Sequence, residues 1–133
     1  MRLYLLDTNL VSYAAADNPR IHTKLAALAR SGHICISALT EAELRYGMEK
    51  TPPSREKQLA IEGYLAKFHV LPWSADAAKA YAKLRVANEK GGQTISLIDL
   101  LIAAHAVAEG AILLTNDARL AEIKGAEVER WKP

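Results

Sequence analysis

Four carboxylates in this chain sit where a folded protein does not readily tolerate them. Asp7 ends the apolar run Leu3-Tyr4-Leu5-Leu6, and Asp117 closely follows a second one, Ile112-Leu113-Leu114-Thr115. Glu43 lies on the apolar side of a predicted helix, and Asp99 opens another that is otherwise nearly all Leu, Ile and Ala. Acids are seldom buried unless something compensates the charge. If the four met in one crevice, their mutual repulsion would raise their pKa values unless a cation sat among them. A donor set of oxygens without His or Cys favours Mg2+ or Mn2+ over Zn2+. Mg2+ characteristically combines one or two carboxylates with water and substrate phosphate, which suits hydrolysis of a phosphodiester.

Each acid also has a local explanation. Asp7 begins Asp7-Thr8-Asn9 and has the character of a helix N-cap; Asn9 adds a polar group that a cap does not need. Thr40 and Glu43 have the spacing of a capping box, but Ser37 is an equally good earlier cap, and a helix starting there leaves Glu43 in its interior. Ser96 and Asp99 have the same box spacing, aided by the helix dipole. Thr115-Asn116-Asp117 alone reads as a turn. What sets these acids apart is repetition. Asp7 and Asp117 both leave apolar strands, and Glu43 and Asp99 both lie in early turns of helices that would pack beside such strand ends. His105, six positions after Asp99, is turned about 240° around the helix. It is expected to be a satisfied or partly exposed histidine outside the acidic site.

The elements that must position these groups alternate between apolar runs and helical patterns. That alternation indicates an α/β fold with a mostly parallel sheet flanked by helices. Strands are predicted at 3–6, 34–37, 68–71, 112–115 and near 127–131. Helices are predicted at 8–16, 19–30, 38–50, from after Pro52-Pro53 to about 67, 74–89 and 96–109, with a short turn or helix at 118–123. Breaks fall at Asp17-Asn18-Pro19 and Gly91-Gly92, and Gly110 stands at a helix C-terminus. The charged stretch 49–67, with the break at the two prolines, reads as a helical hairpin arm appended to the sheet. Its apolar residues Leu59, Ile61, Tyr64, Leu65 and Phe68 form a stripe suited to core packing or dimerisation.

With 133 residues, half of them apolar and 24% charged, the chain is expected to form one domain over 1–133. The single cysteine, Cys35, lies in an apolar run and is expected to be a small buried hydrophobe. No apolar stretch approaches membrane-spanning length, and the start reaches Asp7 too soon for a signal peptide, so the expected location is cytoplasmic and free of membrane. A net charge of +2 is compatible with nucleic acid without arguing for it.

Taken in order, Leu5-Leu6-Asp7-Thr8-Asn9, Ser37-Ala38-Leu39-Thr40-Glu41-Ala42-Glu43-Leu44-Arg45-Tyr46-Gly47, Ile98-Asp99-Leu100-Leu101-Ile102-Ala103-Ala104-His105-Ala106 and Leu113-Leu114-Thr115-Asn116-Asp117 resemble the motifs of the PIN-domain ribonucleases. Within that group the chain is similar to the VapC toxins of toxin–antitoxin modules. Trp131, after a turn containing Gly125, also fits. The resemblance spans the chain. It implies a PIN-like three-layer α/β/α fold, an acidic Mg2+ site, endonucleolytic cleavage of RNA, a homodimer and a small VapB-type antitoxin. By position it makes Asp7 and Asp99 the principal metal ligands, Glu43 the third acid and Asp117 a less constant fourth. Thr8, Asn9, Thr115 and Asn116 would support the site. Leu120 stands where many relatives carry Phe, a packing change.

Structured RNA, tRNA or rRNA, is the expected substrate. Arg20, Lys24, Lys50, Arg85, Lys90 and Arg119 are candidates for holding its phosphates. Three other readings compete: a PIN-type nuclease outside any toxin module, a phosphatase with Asp7 as nucleophile (which would want an Asp where Asn9 stands), and a binding module whose acids are only caps and turns.

Overall fold

A parallel sheet is covered on both faces, so its strands must be apolar on both. The computed structural model, which describes residues 2–16, 18–92 and 94–132, shows how the apolar runs meet that demand. In chain order the elements are β1 (Arg2–Leu6), α1 (Thr8–Ala15), α2 (Pro19–Ser31), β2 (Gly32–Ser37), α3 (Ala38–Lys50), α4 (Arg55–Lys67), β3 (His69–Leu71), α5 (Ala75–Lys90), α6 (Leu97–Glu109), β4 (Ile112–Thr115) and β5 (Val128–Arg130). One 3-10 turn, Leu120–Glu122, lies between the last two strands. Of the predicted break at 17–19, Asp17 falls outside the described residues.

The strands are ordered β3-β2-β1-β4-β5, and every pairing is parallel. Leu6, Ile34, Ile36, Ile112 and Leu114 face one side, where they meet α1, α2 and α4 through Leu10, Val11, Ile21, Leu25 and Ile61. Leu5, Cys35 and Leu113 face the other, against Leu84 of α5 and Leu100, Ile102 and Ala103 of α6. The period-two alternation of strand side chains thus feeds two cores, one on each face. The result is the expected three-layer α/β/α arrangement.

The order reverses at β1. The chain moves outward through β2 and β3, then crosses back to place β4 on the other side of β1. In open α/β sheets the crevice for a ligand lies at the carboxyl ends of the strands flanking such a reversal. Here those ends are Leu6 and Thr115, the residues just before Asp7 and Asn116.

Three local choices left open by the sequence are now decided. Ser37, not Thr40, caps α3, accepting from the Leu39 N–H at 3.1 Å, so Glu43 is an interior helix residue. His105 is fully buried, with Nδ1 2.8 Å from the Ser37 hydroxyl, and burial holds its pKa below the usual imidazole range. The predicted hairpin places its second helix, α4, in the core: Ile61, Tyr64 and Leu65 are buried. Leu59 does not share that stripe and is 59% exposed, because two positions along a helix turn a side chain about 200° away. The α6 C-terminus closes as expected on Gly110, whose φ of 66° suits a residue without a Cβ. No helix among the described residues is long and apolar enough to cross a membrane.

Candidate active site

Asp7 leaves the carboxyl end of β1 and caps α1, its Oδ1 accepting from the Leu10 N–H at 2.7 Å. Its other oxygen, Oδ2, accepts from the Thr115 hydroxyl at 2.5 Å. Register brings the two together. Leu6 is paired with Leu114, and the Asp7 N–H continues the ladder to the Leu114 carbonyl at 3.0 Å. Asp7 as a residue is only 2% exposed. Burial pushes its pKa up from 3.8 to about 6 against the pull of both hydrogen bonds, and the charges of Asp99 and Asp117 push it further the same way. The N-cap role is therefore real, yet it does not account for so costly a burial.

Asp117 reaches the same place from β4. Its N–H donates to Thr115 Oγ1 at 3.0 Å, while its Oδ1 accepts from the Arg119 N–H at 2.8 Å. The turn predicted for Thr115-Asn116-Asp117 is present, and Thr115 Oγ1 ties it to Asp7. Asp99 sits half-buried in the first turn of α6, where the Ser96 hydroxyl caps its N–H at 3.2 Å. Burial raises its pKa, a separate hydrogen bond between the Ser96 side chain and the carboxyl lowers it, the Asp117 charge raises it and the Arg119 charge lowers it. Glu43, half-buried on α3, accepts from the Thr8 hydroxyl at 2.5 Å. Thr8 follows Asp7 directly, so α3 is tied to the start of α1. The acids from four elements thus gather at the carboxyl ends of β1 and β4. Asp7 feels the charges of Asp99 and Asp117, Asp99 feels that of Asp117, and Glu43 joins through Thr8.

Among the described residues, no three His, Cys, Asp or Glu side chains form a ready-made metal cage. Such a cage is not required of Mg2+, which retains waters and takes phosphate oxygens alongside few carboxylates. The donor chemistry fits the ion: all oxygen, with a desolvated acid raised by neighbouring negative charge. Thr115→Val tests how Asp7 is held. The change keeps the β-branched shape but removes a donor that favours the ionised carboxylate, so Asp7 should become harder to ionise. For a pKa about one unit higher, Mg2+ affinity is expected to fall about fivefold at pH 6, where roughly a tenth of the group is ionised instead of half, and only about twofold at pH 7. Unchanged affinity by calorimetry would show that this hydroxyl does not tune the site.

Two hollows open beside the acids. One, of about 440 Å3, is lined by Asn9, Ser12, Asn116 and Asp117, and the other, of about 460 Å3, by Thr8, Asn9, Ser12 and Glu43. Lys57 of α4 borders both. Sequence reasoning passed over Ser12 and Lys57. Ser12 was within reach, lying one turn from Thr8 and Asn9 on the same helix face. Lys57 carried no signal, being in no motif and surrounded by other charges. Of the basic candidates, Arg119 acts on Asp99. Lys24 instead sits 4.4 Å from the centre of the Trp131 ring, and Arg85 hydrogen-bonds Tyr81 at 2.9 Å.

The model of the PIN domain matches residues 4–126. The chain is 35% identical over 131 residues to Ribonuclease VapC2 of Rickettsia felis, covering 97% of this chain and 98% of that one. It is 32% identical to the tRNA(fMet)-specific endonuclease VapC of Shigella flexneri, with coverage of 98% and 99%. Among solved structures, VapBC2 of Rickettsia felis bound to a DNA fragment from its promoter superposes with a TM-score of 0.89 at 33% identity, covering 98% of this chain and 99% of that one. DNA-bound VapBC of Salmonella typhimurium gives 0.86 at 27% identity, with the same coverage. The chain is a member of the PIN-domain family, and within that family it belongs with the VapC ribonucleases.

Proposed function

We propose that this chain, acting as one PIN domain over its 133 residues, is a Mg2+-dependent endoribonuclease and the toxin of a cytoplasmic toxin–antitoxin pair. Its substrate on this reading is structured RNA, with tRNA the first to test, because the Shigella flexneri relative is named for tRNA(fMet). The observation that carries the proposal is Asp7: an acidic residue 2% exposed, its pKa raised further by two more acids, is an arrangement that a bound cation relieves. Asp7 and Asp99 hold the metal. Glu43, steadied by Thr8, orients a ligand or water. Asp117 completes a second metal position or takes a proton from the attacking water. Bound Mg2+ supplies polarisation of the phosphate, neutralisation of developing charge and a more acidic water; Mn2+ fits the same donors. The partner is a small VapB-type antitoxin, as in the VapBC complexes of similar fold, and the active species a homodimer.

The phosphatase reading is disfavoured, since both Asp7 oxygens already accept hydrogen bonds and the group lies deep. Cleavage of purified tRNA by the purified chain is expected with Mg2+ or Mn2+, and none with EDTA. Asp99→Asn should lower it by at least about 100-fold, the scale for losing one electrostatic contributor. Co-expression of the cognate antitoxin should suppress it. Cleavage that persists in EDTA, or at the wild-type rate in Asp99→Asn, would remove the metal assignment.

A further inference from the structure

An anionic site that acts on an anionic polymer needs a cation at its entrance, because the carboxylates alone repel the phosphates they are to process. Resting on the ribonuclease reading above, we propose that Lys57 is that cation: a positioning residue on α4 that holds an RNA phosphate at the mouth of the acidic crevice.

Three observations carry this. Lys57 borders both hollows beside the acids, the one containing Asn116 and Asp117 and the one containing Thr8 and Glu43. Among the described residues, only Asn9 and Ser12 share that position; as neighbours on one face of α1 they offer neutral donors. Next, Lys57 has no ion pair among the described residues, whereas other basic residues are already engaged. Arg45 bridges Glu41 and Glu62, Arg2 pairs with Glu127, and Lys24 sits over Trp131. Finally, its backbone is held. Pro52-Pro53 precede the helix, and Ser54 caps it by accepting from the Lys57 N–H at 3.2 Å. A half-buried lysine on a fixed helical turn loses less freedom when it meets a phosphate than one on a loose loop. Lysine suits the task as a compact charge with three donors that can follow a phosphate through a reaction.

The experiment measures tRNA cleavage across a KCl series for wild type, Lys57→Met, Lys57→Gln, Lys57→Arg and Asp7→Asn, together with Mg2+ binding by calorimetry in the absence of RNA. Lys57→Met and Lys57→Gln should raise KM about tenfold with kcat within a factor of two or so, the pattern of a lost binding contact. The slope of log KM against log salt should fall by roughly 0.7 to 0.9, the contribution of one phosphate contact. Lys57→Arg should restore both. Mg2+ affinity of the free protein should hold or tighten, since a positive neighbour has gone. A merely structural lysine would change melting temperature and active fraction while leaving the salt slope alone, and that result overturns the proposal. Wild-type KM and slope in both neutral variants overturn it as well, provided Asp7→Asn is inactive. If Asp7→Asn cleaves at the wild-type rate, the failure lies with the ribonuclease reading itself.

Discussion

Asp7→Asn should abolish RNA cleavage, by at least about 100-fold, and at the same time make the metal-free protein more stable at neutral pH. The two effects have one cause. The amide keeps the side chain's shape and its acceptor for the Leu10 N–H, so the start of α1 is preserved. It removes a charge that the fold has taken almost wholly out of water, with its pKa near 6 instead of 3.8. Two units correspond to about 3 kcal/mol, an upper figure because Thr115 must now accept from the amide where it donated to the carboxylate. Its hydroxyl oxygen already accepts from Asp117, so that rearrangement costs part of the gain. Thermal unfolding in EDTA at pH 7.5 should therefore show a higher midpoint for Asp7→Asn than for wild type. Loss of activity with gain of stability separates a site residue from a structural cap, for which the amide, an equally good N-cap, would leave both nearly unchanged. A variant that cleaves normally, or melts earlier, contradicts the role given to Asp7.

The second large effect is on pH. Asp7 titrates higher in the fold than in the unfolded chain, so between about 3.8 and 6 the folded state binds the extra proton. By linkage, stability from this group is fully present below the unfolded value and is lost as pH rises through the folded one. Measured as the difference between wild type and Asp7→Asn in EDTA, it should decline by roughly 2.5 kcal/mol from pH 4 to pH 7. Asp99 is raised as well and pulls in the same direction. If Asp7 is a ligand as proposed, Mg2+ should reverse the trend, because a cation binds the ionised form. Its affinity should rise about tenfold per pH unit below 6 and level off above, and saturating metal should return the lost stability at pH 7.5. Flat Mg2+ affinity from pH 5 to 7.5 would take Asp7 out of the ligand set.

Much of the fold could be read locally. The α3 and β4 boundaries fall where Ser37, Pro52-Pro53, Gly110 and the run Ile112–Thr115 put them, because caps, breakers and apolar runs act within one turn or one strand. Asp7, Glu43, Asp99 and Asp117 stood out for a related reason: charge interrupting an apolar pattern is visible without knowing what lies across from it. Leu59 was misplaced because a list of apolar residues is not a face until helical rotation is applied, and the cap of α3 stayed open because Ser37 and Thr40 satisfy the same local rule.

How those groups meet depends on long-range packing. Asp7 and Thr115 are 108 residues apart in the chain, and they touch because the strand order turns back at β1 and sets β4 beside it. Thr8 finds Glu43 across the α1–α3 contact, and Lys57 comes to the crevice on a helix that shares no motif with it. The chain alone determined which chemistry was present: oxygen donors, acids at strand ends and an α/β framework to carry them. Proximity decided how strongly that chemistry is tuned, since desolvation and the repulsion between like charges depend on distance through space, to which separation along the chain is no guide.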